Sequence, residues 1–307
     1  MDDEPDSARD TRSSRAEAAR DAKPASDTHK PKARGAEPSG LWARERRRFL
    51  MRKLHSLSGV VPLGLFLLVH LFTNARALGG EDSFQHAVAD INGLPYLLVI
   101  EIALILAPLL FHAGYGVVLA LESRPNVGRY TGNRNWMYTA QRATGVLAFA
   151  FIGWHLWQFW FQKVSGKMAS EQFYGALCEK LSTPIGGVPL TALGYVFGIG
   201  AVVFHFANGL WGFCTSWGIT PTRRSQRISA TVFGVLGAVV FFLGANTAIY
   251  FATGSKIAIF GTPSDSALAS VRTCPDVLES PKPVKPAGVE AAAPTDRGAE
   301  DPLARAR

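Results

Sequence analysis

Residues 188–217, VPLTALGYVFGIGAVVFHFANGLWGFCTSW, carry no Asp, Glu, Lys or Arg and hold one histidine, His205, well inside the run. A helix rises ~1.5 Å per residue, and a bilayer's hydrocarbon is ~30 Å thick, so ~20 such residues suffice to cross it. Working outward, residues 56–78, 94–121, 138–161 and 228–251 form four more long apolar blocks. One soluble helix can be this apolar when buried. Five in a chain of 307 residues point instead to an all-α membrane protein with five transmembrane helices.

The flanks differ sharply. Residues 1–40 are rich in Asp, Arg, Lys, Ser, Ala and Pro, lack the apolar run of a secretory signal, and read as a disordered cytoplasmic tail. Residues 41–55 form a basic juxtamembrane segment, 56–251 the five-helix unit, and 252–307 a loose C-terminal tail. The formal net charge of +8 does not indicate nucleic acid, because the cations sit at helix ends. Arg44, Arg46, Arg47, Arg48, Arg52 and Lys53 precede the first block. Arg124, Arg129 and Arg134 separate the second and third, and Arg223, Arg224 and Arg227 follow the fourth. The opposite loops offer only Arg76, Lys163, Lys167 and Lys180. The positive-inside rule then puts the N-terminus in the cytoplasm, and five spans put the C-terminus outside.

Cys178, Cys214 and Cys274 are widely spaced and form no C-x-x-C pair, which argues against an iron–sulfur cluster or zinc site in this chain. The chain has no C-x-x-C-H, so a haem would be held by ligation and packing. Walker, G-x-G-x-x-G and nucleophile-elbow motifs are also missing.

Histidines carry the chemistry. His29 lies in the tail and His86 in the first outer loop. His55 stands at the cytoplasmic end of the first block, and His70, His112, His155 and His205 each lie inside a different one. A single intramembrane histidine is explained equally by an interhelical hydrogen bond; four, one per helix, point to cofactor ligation. With the spans running alternately outward and inward, His70 and His155 fall roughly 21 and 26 Å from the inner side, while His112 and His205 each fall roughly 26 Å from the outer side. Four imidazoles therefore make two layers of two, as two stacked bis-histidine b haems in a four-helix bundle require. Bis-histidine ligation fills both axial positions and suits electron transfer. A zinc or iron transporter would need further Cys or carboxylate ligands, and the spans offer only Glu101. Gly114, Gly116, Gly153, Gly209 and Gly212 flank the histidines, where they fit both a porphyrin approach and ordinary helix packing.

The stretches RKLHSLSGVVPLGLFLLVH (52–70), FHAGYG (111–116), NRNWMYTAQRATG (133–145), GWHLW (153–157), FHFANGLW (204–211) and SWGITPTRRSQRIS (216–229) give the chain a family likeness. Over residues 47–251 it resembles the five-helix dihaem cytochrome b subunit of succinate dehydrogenase and fumarate reductase. The resemblance implies that His70 with His155 holds an outer haem and His112 with His205 an inner one. It also implies a flavoprotein carrying FAD and an iron–sulfur protein docked on the cytoplasmic face of a bacterial-type inner membrane, with membrane quinone, menaquinone in the first instance, as substrate. His55 matches a family histidine that is not an axial ligand; a propionate or quinone contact and plain snorkelling both fit it. Arg142 and Arg227, at cytoplasmic helix ends, fit propionate pairing and lipid-phosphate anchoring alike. Glu101, near the outer layer, fits proton exchange with quinone as well as an interhelical hydrogen bond. A cytochrome b anchor of another quinone-linked dehydrogenase or hydrogenase is the alternative; those place two ligands on one helix, whereas this chain places one on each of four.

Overall fold

The computed structural model describes residues 39–122, 128, 132–256 and 274. Most of both tails, with His29, Arg124 and Arg129, lies outside the described residues. The chain falls into two units, Met1–Leu50 and Met51–Arg307. The first is described from Ser39, where it is helical, with its side chains exposed from Gly40 onward.

Regular structure among the described residues is helical, apart from one isolated bridge between Ile185 and Val188. α1 (Ser39–Ser58) continues through a π-turn (Gly59–Leu63) into α2 (Gly64–Ala75). The π-turn has a local cause. Pro62 lacks the N–H that an α-helix would direct at the Ser58 carbonyl, and the helix widens to use the next donor. After α3 (Glu81–Asn92), the short α4 (Leu97–Ile100) passes through a second π-turn (Glu101–Leu106) into α5 (Ala107–Glu122). α6 (Asn133–Gln158) breaks at Phe159 before α7 (Trp160–Val164). α8 (Phe173–Ser182), α9 (Leu190–Ser216) and α10 (Arg223–Thr253) complete the order. Thr222 and Ser225 cap the start of α10 reciprocally, and Gly254 closes it at a positive φ of 72°.

Among the described residues, four stretches are long and apolar enough to cross a membrane: Gly40–Gly79, Leu97–Glu122, Leu190–Ser216 and Arg223–Thr253. The third block expected from sequence, now α6, has the length at 26 residues but not the composition. Its first half carries Arg134, Asn135, Gln141 and Arg142, which dilute the apolar run. Large apolar side chains such as Leu65, Phe72, Leu110, Val117, Phe197 and Val235 stand exposed along these helices. An aqueous protein would not leave so continuous an apolar surface uncovered; lipid accounts for it. The chain is a multi-pass membrane protein.

Close helix contacts use small residues. A Cβ on Gly244 would come within 2.9 Å of Ile199, and one on Gly237 within 2.9 Å of Ala207, so α9 and α10 approach where glycine permits. The larger cluster of buried apolar residues gathers at one end of α9 and α10. It is a cap built on α3 and α8, two helices in stretches that the apolar pattern assigns to loops. Phe84 and Val88 of α3 pack with Tyr174, Leu177 and Leu181 of α8 against Tyr250 and Phe251 at the end of α10. Burying each large apolar side chain contributes ~1.5–3 kcal/mol. The hydroxyls of Tyr174 and Tyr250, both buried, satisfy each other at 3.1 Å. Cys178 of α8 is disulfide-bonded to Cys274, 96 residues away. Widely spaced cysteines thus include one covalent pair, which ties Cys274 to the cap.

Candidate functional site

Helices α1, α2, α5, α6 and α9 surround a cavity of about 1310 Å³ lined by His55, His70, His112, His155 and His205. That exceeds the ~300–1,000 Å³ of ordinary single-ligand pockets. Its two ends differ. Arg52, Arg134, Arg142, Gln141 and Asn208 line the basic end, whereas Phe84, Val88, Phe173, Leu177 and Leu181 of the cap helices line the other.

At the capped end the ring centroids of His70 and His155 lie 5.7 Å apart with their planes at 75°. Those of His112 and His205 lie 6.1 Å apart at the basic end, with their planes at 87°. Two metal–nitrogen bonds of ~2 Å, with a ring half-width at each end, sum to about 6 Å. Among the described residues no cluster of three or more His, Cys, Asp or Glu is arranged to hold a metal ion. The donor set is therefore two opposed imidazoles per level, which matches an iron whose other four bonds come from a macrocycle.

Three of the four rings are oriented through Nδ1. His205 Nδ1 donates to the Gln141 carbonyl at 2.9 Å, and the Gln141 amide returns a bond to the His205 carbonyl at 3.0 Å. Asn208 fixes that amide by donating to Gln141 Oε1 at 2.8 Å. His112 Nδ1 donates to the His55 carbonyl at 2.9 Å. His155 Nδ1 donates to the hydroxyl of Tyr195 at 3.2 Å, whose proton goes to Gln158 Oε1 at 2.6 Å. A donated Nδ1–H leaves the Nε2 lone pair free, the tautomer that metal-binding histidines need. His70 differs: its Nε2 lies 3.5 Å from the Asn74 amide, which is bonded to the His70 carbonyl at 2.8 Å.

The basic-end imidazoles also rest on glycine. A Cβ on Gly59 would overlap His112 Cε1, and one on Gly145 would come within 2.9 Å of His205 Cε1. These glycines sit on the neighbouring helix. Those beside the histidines in sequence behave otherwise: Gly114, Gly153 and Gly212 face open space, Gly116 faces His55 and Gly209 faces Gln141. Tyr195 and Gln141 are not conspicuous in the sequence. For Tyr195 the available signal is depth, since it lies ten residues before His205, ~15 Å along α9 and level with the other imidazole pair.

His55 stacks on His112 with centroids 4.1 Å apart and planes 8° from parallel, and its Nδ1 is buried with no hydrogen-bond partner among the described residues. The Arg142 guanidinium lies over the Tyr138 ring, 3.7 Å from its centroid. Arg227 is on α10 and is not among the residues lining the cavity, because α10 reaches the cavity through Gly244, Thr247, Ala248 and Phe251 near its other end. The structure thus does not bring Arg227 to the imidazoles. Glu101 is held at the cavity wall, but not as a lone carboxylate: Lys163 donates to Oε1 and Trp160 Nε1 to Oε2, each at 3.0 Å.

Residues 122–245 match the family model described as the succinate dehydrogenase/fumarate reductase transmembrane subunit. A protein of Bacillus subtilis (strain 168), the succinate dehydrogenase cytochrome b558 subunit, is 38% identical over 206 residues, covering 67% of this chain and 98% of that relative. The chain belongs to the succinate dehydrogenase/fumarate reductase transmembrane-subunit family. Within that family it is a membrane-anchor cytochrome b, and the hydrogenase-type anchor is not favoured. Succinate dehydrogenase and fumarate reductase are complexes, so this subunit works as part of one.

Proposed function

We propose that this subunit connects a docked dehydrogenase to membrane quinone through two bis-histidine b haems, one held by His70 and His155, the other by His112 and His205. The observation that carries the reading is the pair of opposed imidazoles at each of two levels of one cavity, three of the four held with Nε2 free. When bound, such groups carry electrons one at a time and leave no open coordination position for dioxygen. The polypeptide supplies the ligands, their tautomers and the glycine floor that lets a flat ring lie close. At the basic end, Arg52, Arg134 and Arg142 offer guanidinium forks for propionates. The unpartnered Nδ1 of His55 offers another polar contact there. Arg227, away from the cavity, anchors to lipid phosphate.

The third block, α6, is the fifth span. Its polar half lines the cavity, which relieves it of facing lipid. The basic end faces the cytoplasm, where a FAD flavoprotein and an iron–sulfur protein dock, and the capped end faces outward from a bacterial-type cytoplasmic membrane. The arginine excess supports that orientation, and so does the Cys178–Cys274 disulfide in the cap, since such bonds persist in oxidising compartments. Quinone, in the first instance menaquinone, exchanges electrons and protons at the capped end, by the stretch of cavity wall where Glu101 lies.

The test uses the purified complex. His205→Ala is expected to remove one of two b-type optical signals and abolish quinone reduction, while dye-linked succinate oxidation by the partner survives. Wild-type quinone reduction without that signal would show that electrons do not need the group held by His112 and His205 to reach quinone.

A further inference from the structure

Glu101 and Lys163 come from two places where the helices depart from regularity. Glu101 opens the π-turn Glu101–Leu106, and Lys163 lies in α7, just past the break at Phe159 with its φ of −127° and ψ of −60°. Irregular turns of this kind re-aim side chains and cluster at functional positions. Here they bring an ammonium and a carboxylate to 3.0 Å on the wall of the imidazole cavity. The Glu101 side chain is 16% exposed and that of Lys163 25%, so both are partly withdrawn from water yet within its reach.

In an ion pair the proton sits on nitrogen. Glu101 accepts from Lys163 and Trp160 with one oxygen each, so both its oxygens are engaged as acceptors. Lys163 carries three N–H donors and uses one on Glu101. A quinone carbonyl is an acceptor only, and the ammonium is a group at this wall that can both bind it and protonate it. We propose that Lys163 hydrogen-bonds a quinone carbonyl oxygen at the capped end and donates a proton to it, with Glu101 and Trp160 as positioning residues. This role for Lys163 rests on the assignment of quinone chemistry to the capped end.

Reducing quinone to quinol takes two electrons, supplied by succinate oxidation in the docked partner, and two protons. At one oxygen the Lys163 N–H bond breaks as the O–H bond forms, and the neutral amine takes a proton back from water at the exposed rim. The other oxygen takes its proton from water directly. The donor role thereby moves from Glu101 to Lys163, which explains why the Trp160 indole N–H holds the Glu101 carboxylate and that carboxylate in turn holds the ammonium.

Lys163→Arg and Lys163→Met separate binding from proton donation. Arginine keeps the cation and the Glu101 pair but does not release its proton; methionine keeps only the bulk. In the purified complex, menadione serves as the probe, with binding read by quenching of tryptophan fluorescence and turnover by succinate-dependent menadione reduction. Dye-linked succinate oxidation reports assembly of each complex. Lys163→Arg is expected to keep Kd and KM near wild type while kcat falls about 100-fold, the lower range for a general acid. Lys163→Met should lower kcat similarly and also weaken binding. Glu101→Gln, which leaves the ammonium present but less well held, should lower kcat less than Lys163→Arg does. A wild-type kcat in Lys163→Arg, or a larger loss in Glu101→Gln than in either lysine variant, would overturn the assignment of the donor. Unchanged Kd and kcat in all three would remove quinone from this end altogether, and with it the reading on which the proposal rests.

Discussion

Tyr195 accepts a hydrogen bond from His155 Nδ1 at 3.2 Å and passes its own proton to Gln158 Oε1 at 2.6 Å, so an imidazole on α6 is oriented from α9. Removing the hydroxyl in Tyr195→Phe leaves His155 without that acceptor while keeping the ring that packs in the cap. Outer partners of ligating histidines contribute ~10–100-fold in affinity. Tyr195→Phe should therefore retain less haem at the capped end after detergent extraction and leave the basic-end signal intact. Equal loss of both signals would mean that Tyr195 supports the fold and not the ligand.

The glycine contacts predict a position-dependent response to one added methyl group. Gly59→Ala presses on His112 and should cost about 1–3 kcal/mol through overpacking, with the basic-end optical band lost or shifted. Gly114→Ala, in open space two residues from His112, should leave the spectrum unchanged and gain up to ~1 kcal/mol from helix propensity. Thermal unfolding with the spectra recorded in parallel checks both; identical behaviour of the two variants would count against the glycine floor.

Joining Cys178 to Cys274 closes a loop of roughly 100 residues, which a chain-entropy account values at ~4–5 kcal/mol. Cys178→Ser should lower the unfolding temperature of the cap and make Cys274 reactive to a membrane-impermeant maleimide added from outside. Labelling of Cys274 only from the cytoplasmic side would reverse the orientation proposed for the chain.

Much of this site is visible in the residues and much is not, for reasons of range. His70, His112, His155 and His205 stand out because a polar ring in a long apolar run is costly wherever it occurs, and their depths follow from counting. The cap helices are short and amphipathic, broken by loops, and they cover the cavity only once Tyr250 and Phe251 arrive from far along the chain. Cys178 and Cys274 carry no local spacing that would pair them. Gly59 and Gly145 matter through contacts with other helices, so the sequence neighbours of each histidine point instead to Gly114 and Gly153, where an added Cβ would meet no described atom within 4 Å. Glu101 is conspicuous as a carboxylate in an apolar run, but its partner Lys163 lies 62 residues on and past a helix break.

Each level of the cavity is proposed to hold one group between two particular imidazoles. His70 and His155 lie on different helices, 85 residues apart in sequence, with ring centroids 5.7 Å apart. A potentiometric titration of the purified complex with optical detection, carried out on His70→Ala and His155→Ala separately, tests that pairing most directly. Both variants should lose the same haem and leave the same remaining midpoint potential and absorption band, those of the His112–His205 level. If the two variants lose different haems, the pairing, and with it the span directions that produce it, is contradicted.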